Sequence, residues 1–282
     1  MIYALATTSA IMFALATALQ HRSAQKADHS KAMRPSLLFS LALDPMWLLG
    51  LGADIVGIFF QFAALIKGSV LVVQAILAIG LVFSLFFSAV LHNIRLKYSE
   101  LVLSGLIVLA LIGFLTFGTP PVLIDRSALS SWLILAAGTA LVTTAVWMFA
   151  RNSGTLRRTT ALAIAAGILH GFTVSLSKVV SQNFAALGIF HLLVDPHTWI
   201  LLAMGAADIL VIQSAFQAGP LRISLPIISV VEPLIAFLIS VTVLHESLAL
   251  SLLDKAIAGV CLALMMVGVW GLARVATEEN LV

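Results

Sequence analysis

The chain has 282 residues, 61% of them hydrophobic and 10% charged, and a mean hydropathy of +1.14. Soluble domains carry about 25% charged residues, so this composition excludes an ordinary soluble domain and indicates an all-α polytopic membrane protein. The net charge of +3 reads as the basic bias of membrane loops rather than a nucleic-acid footprint, and a single cysteine, Cys261, excludes a disulfide framework.

About 20 apolar residues cross a bilayer. The apolar runs predict nine spans, at 2–20, 46–66, 69–91, 100–117, 129–150, 160–181, 198–217, 221–244 and 253–273. No basic residue precedes the first, so it reads as a retained helix and not as a cleaved signal. The basic loop His21–Asp44 ends in a short apolar run, Leu37–Leu43, too short to span and expected at the interface. Trp47, Trp132, Trp147, Trp199 and Trp270 fall near span ends, where an interfacial belt is expected.

Basic residues alternate between the two sides. Arg22, Lys26, Lys31, Arg34, Arg95, Lys97, Arg151, Arg157, Arg158, Arg222 and Arg274 fall on one side. Lys67, Arg126 and Lys255 fall on the other, with Lys178 inside span six. The bias predicts an outside N-terminus and a cytoplasmic C-terminus in the cell membrane.

Spans two and three echo spans seven and eight. Trp47 matches Trp199 and Gln61 matches Gln213. Lys67-Gly68-Ser69 matches Ala218-Gly219-Pro220, and Val90-Leu91-His92-Asn93 matches Val243-Leu244-His245-Glu246. An odd number of helices separates the copies, which predicts an inverted repeat with a site near the midplane. The expected organisation is a first half at 1–128, a linking helix at 129–150 and a second half at 151–282.

Span eight carries two prolines, Pro226 and Pro233, with Glu232 near its middle. Proline frees backbone carbonyls, which is tolerable where protein or a cavity satisfies them. An intramembrane carboxylate is costly and marks a functional position by default. Here it suits proton coupling or cation binding, or else a structural role paired with Lys178 or Arg222.

Span two aligns Gly50, Asp54, Gly57 and Gln61 on one face, and span six aligns Gly167, His170, Gly171, Ser175, Lys178 and Gln182. Asp54 is either a site carboxylate or an interfacial acid. His170 is either a proton carrier or a packing residue, and Lys178 either a counter-ion or a snorkelling side chain. Span seven adds Asp208 and Gln213. Gly68 and Gly219, in the matched turns, join Pro226 and Pro233 as candidate gating positions. His191, Asp195 and His197 offer a weaker external cluster, either metal-binding or simply solvated.

Gly219-Pro220, Leu225-Pro226, Glu232-Pro233-Leu234-Ile235-Ala236, Leu244-His245-Glu246-Ser247-Leu248 and the glycines of the last span carry a resemblance. This stretch resembles the EamA-like pattern of the drug/metabolite transporter superfamily. The first half resembles a degraded copy, with Gln74-Ala75 for Gln-Pro and Asn93 for the glutamate. Nine helices with an outside N-terminus resemble the NIPA-like branch, associated with magnesium.

The resemblance implies an inverted-repeat bundle and a secondary transporter of a small solute, with Glu232, Asp54, His170, Lys178, Gln61, Asp208 and Gln213 at the site. A NIPA-like carrier of magnesium or another divalent cation, and a non-transporting scaffold subunit, are the alternatives. No enzyme motif is present, and the expected partners are membrane lipids and the transported solute, with no nucleic acid and no cofactor.

Overall fold

Residues 2–28, 31–67, 73, 76–93, 95–117, 128–243 and 251–279 are described by the structure, a computed structural model. Every regular element among them is a helix. In chain order these are α1 (Ile2–Lys26), α2 (Pro35–Leu41), α3 (Pro45–Lys67), α4 (Gly80–His92), α5 (Tyr98–Phe117) and α6 (Leu129–Ala150). There follow α7 (Thr155–Leu187), α8 (Ile189–Val194), α9 (Pro196–Ala218), α10 (Leu221–Thr242) and α11 (Leu252–Glu279).

Six of them, α1, α5, α6, α7, α9 and α11, are long and apolar enough to cross a membrane. A seventh candidate appears if α2 and the first part of α3, bent by 92°, form one span. The protein is therefore an all-α, multi-pass membrane protein.

The short run before α3 folds as α2, as its length requires, and turns sharply into α3 at Asp44. Asp44 accepts from the Met46 N–H at 2.8 Å and from the Ser23 hydroxyl at 2.8 Å, capping α3 and fastening it to the end of α1. Burial pushes the Asp44 carboxyl up. The bonds from Ser23 and Met46 and the charge of Lys26 outweigh it and hold the group below the ordinary carboxylate range.

Two helices act as hubs. α1 packs on α3 and α4, while α7 packs on α9 and α10 and also on α6. α5 packs on α11, and α1 meets α9 across the molecule. One core gathers Leu169, Val211, Phe216, Ile227 and Ile228 around α7, α9 and α10; a second gathers Ile107, Phe114, Val230 and Met265 around α5, α10 and α11.

The tryptophans divide. Trp199 and Trp270 are exposed, and the Arg274 guanidinium lies 3.8 Å over the Trp270 ring. Trp132 and Trp47 are core residues instead of belt residues. Trp132 meets Phe172 edge-on at 5.8 Å where α6 packs on α7, so its large apolar surface goes to the helix contact. α7 runs past the expected end of span six and stops at Gly188, whose φ of 80° suits glycine.

Candidate functional site

Asp54, His170, Asp208 and Glu232 each sit near the middle of a different helix: α3, α7, α9 and α10. Their meeting depends on close helix contact. A Cβ at Gly171 would stand 2.6 Å from the Glu232 carbonyl oxygen, and one at Gly167 would stand 2.6 Å from the Val231 Cβ. The Gly167-x-x-x-Gly171 spacing lets α7 press against α10 and brings His170 level with Glu232.

His170 is the hub of the polar group. Its Nδ1 lies 2.7 Å from Asp208 Oδ2 and its Nε2 lies 3.8 Å from Glu232 Oε2. A carboxylate accepts, so Nδ1 donates to Asp208 and the tautomer is fixed by that bond. The Thr173 hydroxyl lies 3.2 Å from the same Asp208 oxygen and 2.9 Å from the His170 carbonyl. Asp208 is 8% exposed, and its other oxygen is buried with no hydrogen-bond partner among the described residues. His170 and Glu232 keep 36% and 33% of their side-chain surface open. An imidazole and a carboxylate thus stand side by side at mid-helix, each half-buried, and a buried carboxylate anchors the imidazole from behind.

Asp54 lies within electrostatic range of His170, but its hydrogen bond goes elsewhere, to Gln20 of α1. Gln20 in turn receives a bond from Gln213. Nothing in the sequence pattern singles out Gln20. Its signal was hidden because α1 continues to Lys26, which places Gln20 inside the helix and not at its end. Gln61 is half-buried two turns beyond Asp54 on α3.

α10 passes through Pro226 and Pro233 as one helix, so neither proline ends it. The missing N–H groups leave the carbonyls of Arg222 and Ser229 without their helical donors. Glu232 faces His170, and Arg222 pairs with Glu100 of α5 at 3.0 Å, not with Glu232. Lys178 lies on α7, but its side chain, like all of Gly68 and the 244–250 stretch, falls outside the described residues.

The Gly219 carbonyl accepts from His21 Nε2 at 3.1 Å and from Gln25 Nε2 at 3.2 Å, so the α9–α10 turn is clasped by the end of α1. Gln217 adds bonds to the carbonyls of Ala27 and Asp28. The His21 ring lies edge-on to His92 and Phe216.

In the weaker cluster, Asp195 caps α9. It accepts from the His197 N–H, from His197 Nδ1 at 2.8 Å and from Asn183 at 2.9 Å. Among the described residues no three His, Cys, Asp or Glu side chains are grouped to hold a metal ion.

The chain is 29% identical over 273 residues to an uncharacterized protein of Corynebacterium glutamicum, covering 96% of this chain and 94% of that one. No protein-family model matches the chain, and no solved structure matches it.

Proposed function

We propose that this protein is a secondary transporter of the cytoplasmic membrane, of the drug/metabolite transporter kind. It moves a small solute by alternating access and uses protons held at the His170–Glu232 pair. The observation that carries this reading is the placement of His170 between a buried Asp208 and an open Glu232 at the middle of the helices. Mid-membrane titratable groups on an open face are what proton relays need, and a purely structural ion pair has no need of an open face.

The hub arrangement supports two inverted halves. α1 serves α3 and α4 as α7 serves α9 and α10, and α5 pairs with α11. In this reading nine helices cross the membrane, α3, α4 and α10 joining the six named above. In the same reading the end where α1 clasps Gly219 is cytoplasmic, which the basic bias of the loops on that side supports.

Reconstituted vesicles with an imposed pH gradient and a panel of labelled solutes test the reading. At least one solute should accumulate with the gradient in the wild type, and Glu232→Gln should abolish the dependence on the gradient. Uptake by Glu232→Gln that still follows the gradient overturns the role given to Glu232.

A further inference from the structure

Beside the His170 centre runs a second polar chain that reaches a different helix. Gln20 Nε2 donates to Asp54 Oδ2 at 2.5 Å, and Gln213 Nε2 donates to Gln20 Oε1 at 2.6 Å. The three residues stand on α3, α1 and α9. Gly50 makes room, since a Cβ there would lie 2.8 Å from Gln20 Cγ. Gln20 is 8% and Gln213 1% exposed.

The chain has a direction, and one end is left over. Both amides point their N–H groups toward Asp54, as a carboxylate that only accepts requires. The Gln213 Oε1 left at the far end is buried and has no hydrogen-bond partner among the described residues. A buried acceptor without a partner is unfavourable. A proton on Asp54 reverses the arrangement. The carboxyl O–H donates to Gln20 Oε1, and both amides turn over: the Gln20 N–H meets Gln213 Oε1, and the Gln213 NH2 takes the place of that oxygen at the far end. No proton leaves either amide in the process; the proton that Asp54 takes up comes from water.

We propose that Gln20 and Gln213 are positioning residues for a second proton site at Asp54, and that the two amides form a two-state relay reporting that proton to α9. The relay rests on the reading of this protein as proton-coupled. The charged groups around it are named by the packing. On α7, His170 acts on Asp54 through space. Behind His170 stand Asp208 of α9 and Glu232 of α10. His21 of α1 turns away, toward Gly219 and the His92 of α4.

The test uses the full-length protein in nanodiscs and pH-difference infrared spectra of wild type, Asp54→Asn, Gln213→Leu and Gln213→Met. A carboxyl C=O band lost in Asp54→Asn identifies the Asp54 proton. The midpoint of that band should move by about one pH unit, tenfold in proton concentration, in either Gln213 variant. An amide C=O change that follows the band should vanish in Asp54→Asn.

In vesicles, the pH profile of uptake should shift in Gln213→Met but not in Asp54→Asn/Gln213→Met. The relay is overturned if no band depends on Asp54, if the Gln213 variants leave its midpoint in place, or if Gln213→Met shifts the profile equally in the Asp54→Asn background. Met fills the space of Gln without its amide, so a packing defect in the Leu variant does not decide the outcome. The infrared measurement needs no transport, so a wild type without pH-dependent uptake refutes the transport reading separately.

Discussion

Asp208 holds His170 by its Nδ1 at 2.7 Å, and this bond decides which ring nitrogen faces Glu232. An imidazole without that anchor is free to turn. Asp208→Ala should therefore leave Glu232 and His170 in place but misaligned, and misplacement of about 1 Å costs roughly 100-fold in rate. Initial uptake rates should fall about 10- to 100-fold while the protein still elutes as a monodisperse species. Unchanged rates would remove Asp208 from the centre.

The close approach of α7 to α10 gives a second prediction. At Gly171 a Cβ would lie 2.6 Å from the Glu232 carbonyl and 2.8 Å from the Ile235 Cβ. Backbone cannot move aside as a side-chain tip can. Gly171→Ala should cost about 1–3 kcal/mol by overpacking and separate His170 from Glu232. A thermal melt in detergent and the uptake assay should both show a loss. The same change at Gly138, where no atom lies within 4 Å of the added Cβ, should leave both unchanged.

The clasp on Gly219 is expected to govern how readily one end of the molecule opens. Each hydrogen bond there contributes about 0.5–1.5 kcal/mol, and 1.4 kcal/mol is tenfold in a two-state equilibrium. In a Cys261→Ser background, a cysteine placed at the buried Ser214 should react with maleimide several-fold faster when Gln25→Ala is added. No change in labelling rate would mean that the clasp does not restrain opening.

Asp195 supplies a prediction for acid. Burial works to raise its carboxyl, but hydrogen bonds from Asn183 and His197 outweigh it and hold the group below the ordinary range. A carboxyl depressed in the folded state stabilises above its unfolded value near pH 3.9, and that contribution is lost as pH falls through the folded value. Asp195→Ala should lose about 1 kcal/mol of cap stability at neutral pH, seen as a lower melting temperature. The gap from wild type should close as the pH is lowered below about 4.

Much of this was legible in the sequence. Apolar runs located the helices, because lipid demands long apolar stretches with internal hydrogen bonding. The face alignments singled out Gly167, His170 and Gly171 together, and those residues do form the contact with α10. Other features were not legible. Asp208 was placed at the site without its partner, because which helix it faces depends on the packing of α7 on α9 and not on its own periodicity. Gln20 is not legible, because amphipathic patterning gives helix ends poorly and the last turns of α1 are polar enough to read as loop. The pairing of Arg222 with Glu100 joins residues 122 apart in the chain, and no local pattern encodes it. Nearness to a span end does not distinguish lipid from a neighbouring helix, so the interfacial position expected of Trp132 proves to be a core position.

α9 presents Asp208 and Gln213 five residues apart, which on a helix is about 140° around the axis and about 7.5 Å along it. One grips His170 of α7 and the other Gln20 of α1. Because both grips hang on one helix, a rotation of α9 moves them at once and in different directions. The two polar centres are therefore mounted on a common axle, and a rotation of α9 would displace both together.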